Sequence, residues 1–153
     1  MAVEEVQKYF SEKRIDREIM FLDESSATVP LAAKAIGVKE EQIAKTLAFN
    51  LKGESIVIVT CGTAKIDNKK FKDQFECKAK MMSFEETLEK TNHPVGGVCP
   101  FGLPSDVSIY VDKSLENFDV VYPAAGGTNT AIKVTPDEMV NWTGAQWVDV
   151  CKF

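Results

Sequence analysis

Histidine is almost absent from this chain of 153 residues; His93 is the only one. Cysteine is sparse and scattered, with Cys61, Cys77, Cys99 and Cys151 far apart and no CxxC pair among them. Zinc sites built from such pairs, or from several imidazoles, are thereby excluded, and no metal is expected. No stretch approaches the roughly 18 apolar residues of a membrane span. The acidic start, Met1-Ala2-Val3-Glu4-Glu5, leads into no apolar run. Neither a signal peptide nor a membrane partner is expected, and a reducing, cytoplasmic setting suits the unpaired thiols. Glycine and proline number only 9 and 6, too few for a fibrous or disordered chain. Positive charge is also short, with 18 Lys+Arg against 23 Asp+Glu and a net charge of −5. A chain this acidic does not coat nucleic acid nonspecifically, so a nucleic-acid partner has to meet a local basic patch.

What remains is the composition of one ordinary soluble domain, 44% hydrophobic and 27% charged. No repeat or linker divides it, so residues 1–153 read as a single domain. A core at this length buries roughly 70% of the unfolded surface without disulfide or metal. Val3, Val6 and Phe10 predict a short amphipathic helix, and the apolar run 19–22 a brief strand. Thr28, Pro30 and Gly37 punctuate a helix over 29–36. Residues 40–44 suggest a second short helix, leading into a strand to Leu51. Ser55-Ile56-Val57-Ile58-Val59-Thr60 has the pattern of a strand buried on both faces. Asp67 caps a helix to about Gln74. Ser83 and Glu86 form one capping box, and Thr135 and Glu138 another. Residues 108–111, 120–122 and 131–134 read as strands. This irregular interleaving predicts an α/β fold with a mixed sheet flanked by short helices.

Four features could carry chemistry. His93 sits six residues before Cys99, so a Cys/His pair is conceivable; the alternative is an exposed loop histidine and a cysteine packed as a small hydrophobe. Gly96-Gly97-Val98-Cys99-Pro100 and Gly126-Gly127-Thr128-Asn129-Thr130 are small-residue loops that could cradle a ligand with backbone N–H groups, or could be tight turns. Neither matches a nucleotide fingerprint, and no cofactor is expected. Lys45, between Ile43, Ala44, Thr46 and Leu47, either sits at the lip of a cleft or snorkels its head to water. Residues 64–80 hold six lysines against three acidic residues. They form a phosphate-facing patch or a solvated helix face. Only Phe71 and Phe75 interleave these lysines, so no base-stacking platform is indicated.

Segments in order along the chain resemble one family. They are Thr28-Val29-Pro30-Leu31-Ala32-Ala33 with Ile43-Ala44-Lys45-Thr46-Leu47; Ile66-Asp67-Asn68-Lys69-Lys70-Phe71; Val95-Gly96-Gly97-Val98-Cys99-Pro100-Phe101-Gly102; and Tyr110-Val111-Asp112 leading to Ala125-Gly126-Gly127-Thr128-Asn129. From 25 to 142 the chain resembles the YbaK-type aminoacyl-tRNA deacylases, themselves similar to the editing insertion domain of bacterial prolyl-tRNA synthetase. The resemblance implies a compact, partly barrel-like α/β fold that hydrolyses the ester of mischarged tRNA.

By that resemblance Lys45 is the functional side chain. Gly96, Gly97, Val98, Cys99 and Pro100 match the family's GxxxP loop, and Gly126, Gly127, Thr128 and Asn129 its second glycine loop. Thr28, at the head of the helix over 29–36, joins the substrate-binding set. Family members often carry Arg or Ser where this chain has Thr128-Asn129. The implied partners are the acceptor end of aminoacyl-tRNA and an aminoacyl-tRNA synthetase; no oligomeric state follows. Lys45 would orient the 3′ nucleotide or the ester carbonyl, or act as general base. Backbone N–H groups near residues 97–99 would hold the oxyanion. A pocket that admits only small amino acids such as Ala, Cys or Ser would clear errors that a synthetase pocket cannot reject. The reading from another class is a non-catalytic module that binds tRNA or a synthetase.

Overall fold

A two-residue turn organises the centre of the molecule. Lys52 and Gly53 both have positive φ, 42° and 86°, the combination that matches hairpin twist. The structure, a computed structural model, describes residues 2–153. The turn joins two long antiparallel strands in register from Ala44 opposite Cys61 to Leu51 opposite Glu54.

In chain order the elements begin with α1 (Ala2–Glu12), β1 (Met20–Phe21) and α2 (Val29–Ile36). The hairpin strands are β2 (Ile43–Leu51) and β3 (Glu54–Cys61). Next come β4 (Lys65–Ile66), α3 (Asn68–Phe75), α4 (Phe84–Thr91) and β5 (Val107–Asp112). The chain ends with β6 (Tyr122–Pro123), β7 (Thr130–Ala131), α5 (Pro136–Thr143), β8 (Gln146–Val148) and β9 (Cys151–Lys152). The main sheet runs β6-β2-β3-β5-β8. Only β2 and β3 are antiparallel; the other neighbours are parallel, so the sheet is mixed, curled and partly barrel-like. Two-stranded ladders, β1-β7 and β4-β9, lie beside it. Among the described residues no helix is long and apolar enough to cross a membrane.

β3 is the buried spine: Ile56, Val57, Ile58 and Val59 are at most 1% exposed. That fits its β-branched run, since a strand covered on both faces needs no polar alternation. Phe49, Phe71, Phe75 and Tyr110 make a chain of ring contacts on one side. Phe10, Phe101 and Trp142 make another, which docks α1 through Val6 and Phe10.

The helix starts follow the sequence. Thr28 Oγ1 accepts from Leu31 N, and Gly37 closes α2 in the left-handed region at φ 85°. Ser83 and Thr135 form reciprocal capping boxes with Glu86 and Glu138. Three expectations change. Residues 40–44 are not a helix: one 3-10 turn covers Glu40–Gln42, because Ile43 and Ala44 already pair with Tyr122, Pro123 and Cys61. The predicted strand 131–134 is shorter; Thr130 and Ala131 pair with β1, and Val134 makes only an isolated bridge to Val121. The predicted strand 120–122 is displaced to Tyr122–Pro123.

Candidate active site

The head of α2, the start of β2 and the loop after α4 meet around a cavity of about 260 Å³. Four sequence-predicted residues line it: Thr28, Lys45, Gly96 and Val98. The wall is otherwise mostly apolar, with Val29, Ala32 and Ile43 among it.

Lys45 is half-buried. Its Nζ donates to Ala64 O at 2.5 Å and to Gly62 O at 3.3 Å, both in the turn after β3. Charge-assisted bonds of this length fix the ammonium. They use two of its three N–H bonds, leaving one for a ligand. Burial pulls the Lys45 pKa below the ordinary lysine range. The Cys151 and Cys61 thiols oppose that shift, and the Lys65 charge reinforces it.

The two glycine loops touch. Gly126 N donates to Gly97 O at 3.0 Å. A Cβ on Gly97 would lie 2.9 Å from Gly126 C and O, so only glycine permits this approach. Gly96 adopts φ 92°, and a Cβ there would meet Ala27 Cβ at 2.9 Å. The Gly97 N–H is not free for an oxyanion, because it donates to Pro94 O at 2.9 Å.

The remaining predicted residues do not line the cavity; they brace its wall. Thr128 O accepts from Ser26 N at 2.7 Å, and Asn129 O from Leu22 N at 2.8 Å, which ties residues 22–26 to the second loop. Gly127 N and Ala125 N both donate to Thr130 Oγ1. Pro100 is buried behind the first loop. Cys99 is wholly buried, the packed cysteine that was one alternative, and burial pushes its thiol up to about 12. His93, whose alternatives included an exposed loop residue, is instead 0% exposed, and burial lowers its pKa. Its ring Nε2 lies 2.7 Å from Phe101 O, which clasps the loop that carries Gly96 and Val98. The ring is interior because the Phe101, Phe10 and Trp142 cluster draws the far end of the loop into the core.

Thr130, the last residue of the second candidate loop, lines the cavity, and sequence reasoning missed Ser26 and Thr46 there. Thr46 Oγ1 is buried without a hydrogen-bond partner. Its only sequence signal is its place beside Lys45. Among the described residues no group of three or more His, Cys, Asp or Glu could hold a metal ion.

A lysine held at the wall of a small cavity, beside a glycine-braced loop, can bind and orient a carbonyl or phosphate oxygen. The family model described as an aminoacyl-tRNA editing domain matches residues 23–141. The chain belongs to that family.

Relatives of this editing domain agree in extent. The uncharacterized protein YwhH of Bacillus subtilis is 44% identical, over 99% of this chain and 98% of its own. EbsC of Enterococcus faecalis, provisionally named a Cys-tRNA(Pro)/Cys-tRNA(Cys) deacylase, is 23% identical over 77% of this chain and 73% of its own. A crystal structure described provisionally as a trans-editing enzyme for prolyl tRNA synthetase superposes with a TM-score of 0.90 at 26% identity. It covers 99% of this chain and 98% of that one.

Proposed function

We propose that this editing domain is a deacylase acting in trans, which hydrolyses the ester between a small amino acid and the 3′-terminal nucleotide of tRNA. Alanine, cysteine and serine are the candidate side chains. The observation that carries the reading is Lys45, which lines the cavity and whose ammonium is fixed by two backbone carbonyls of the turn after β3. The cavity, at about 260 Å³, falls below the 300–1,000 Å³ typical of pockets for drug-sized ligands. It suits an ester with a short side chain and discourages a bulky one.

Water oxygen adds to the ester carbonyl, and the bond to the ribose oxygen then breaks, with a proton passing to that oxygen. The third N–H of Lys45 binds the carbonyl oxygen or the neighbouring phosphate and stabilises the charge that develops. Val98, which lines the cavity, would supply its backbone N–H as the second donor. The partner is the acceptor end of the tRNA, and a synthetase is the protein partner that would hand it over.

Lys45→Ala is expected to lower kcat/KM by at least about 100-fold, the usual cost of removing such a donor. Lys45→Arg separates two roles. Arginine remains charged, so retained activity establishes a cationic function, and total loss with intact folding leaves the general-base role. Release of amino acid from a panel of charged tRNAs is the measurement. If the Ala variant matches wild type, or if no charged tRNA is deacylated, the proposal is wrong.

A further inference from the structure

Two exposed lysines face each other across the β4-β9 ladder. Lys65 lies directly opposite Lys152 in an antiparallel pair. Side chains so paired share one face at about 5 Å between Cβ atoms, and like charges there are destabilising. The ladder is only two residues long, so it has little pairing to spare against that repulsion.

Carboxylates nearby do not pair these lysines. Asp149 pairs with Lys70 at 3.1 Å. Asp67, which feels the Lys152 charge, already accepts from the Lys69 and Lys70 N–H groups at the start of α3. The ion pairs among the described residues are Lys8–Glu12, Arg17–Glu138 and Lys70–Asp149, and none involves Lys65, Lys69 or Lys152. On a chain of net charge −5, residues 64–80 leading away from this ladder hold six lysines against three acidic residues. The ladder also abuts the site: Lys45 Nζ is bound to Ala64 O, one residue before Lys65.

We propose that Lys65 and Lys152 form a phosphate track that holds the single-stranded 3′ end of an RNA acceptor as it enters the cavity. This rests on the deacylase reading and names the surface that delivers its substrate. The track continues to Lys69 on the exposed side of α3. A polyanion laid across the opposed lysines neutralises a repulsion that the free protein carries.

The test uses the full chain and an uncharged RNA acceptor minihelix with a single-stranded 3′ end, so binding is read without turnover. Affinity is measured by fluorescence anisotropy from 25 to 200 mM salt, and Tm at low salt. Lys65→Gln/Lys152→Gln is expected to weaken binding at low salt and to reduce the slope of log K against log salt by about 1 to 2. Lys152→Glu is expected to weaken binding further at low salt, with Tm confirming that the variant is folded. The control Lys8→Gln/Lys90→Gln changes net charge equally and should leave the slope as in wild type. An unchanged slope in the Lys65/Lys152 variant, or an equal fall in the control, overturns the track. A wild-type protein that binds through these lysines yet deacylates nothing defeats the enzymatic reading alone.

Discussion

Cys99 Sγ lies 3.7 Å from His93 Nε2, a distance that on its own suggests a nucleophile with its base. The proton placement removes that possibility. Nε2 is also 2.7 Å from Phe101 O, and a carbonyl oxygen only accepts, so Nε2 carries the proton and has no lone pair for the thiol. The thiol is held at about 12 by burial, so thiolate is scarce at neutral pH. Iodoacetamide at neutral pH should therefore alkylate half-buried Cys77 of the folded protein well before Cys99, Cys61 or Cys151. Deacylation should survive that treatment. Peptide mass mapping beside the activity assay checks this; early modification of Cys99 with parallel loss of activity would restore the cysteine mechanism. Residue roles were unevenly legible. Lys45 stands out by its apolar neighbours, but its role comes only from family resemblance, because its anchors, Gly62 O and Ala64 O, belong to a turn 17 and 19 residues away with no motif. The buried setting of His93 depends on a distant aromatic cluster and left no local trace.

Elements with their own punctuation could be read directly from the chain. The helix α2 has a threonine cap, an early proline and a closing glycine, and all three act as such in the structure. The spine β3 announced itself by its apolar run. Strands β4, β8 and β9, of two or three residues, did not, since nothing distinguishes Lys65-Ile66 or Cys151-Lys152 except the partner each finds. The same holds for the contact between the two glycine loops: both loops were visible, but not that they touch. That contact makes a sharp prediction. Gly97→Ala forces a Cβ against the Gly126 backbone at 2.9 Å, so the loops must part. Overpacking of this kind costs about 1–3 kcal/mol. The variant should lose stability by that amount in urea unfolding and lose activity beyond it when assayed under folded conditions. Wild-type activity in a folded Gly97→Ala protein would show that the loop contact does not shape the cavity.

The molecule as a whole inherits a pH response from its one imidazole. Burial lowers the His93 pKa, with the Phe101 carbonyl and the Glu5 charge opposing. The folded state therefore keeps His93 neutral at a pH where the unfolded chain, with its ordinary pKa of about 6.5, takes up a proton. Unfolded chains then bind more protons than folded ones, so stability rises with pH through this window and falls on acidification from about 6.5 toward the lower folded value. Carboxylates lowered in the fold, Asp67, Glu86 and Glu138, act only around their own unfolded values near 4 and below. Between pH 7.5 and 5.5 the imidazole is thus the group that governs the slope, at no more than about 1.4 kcal/mol per pH unit. His93→Gln keeps an N–H that can reach Phe101 O and removes the titration. Urea unfolding at both pH values should show a clear loss for the wild type on acidification and almost none for the variant. Equal losses in the two proteins would mean that His93 takes up its proton as readily in the fold as in the unfolded chain, so that burial does not hold it neutral.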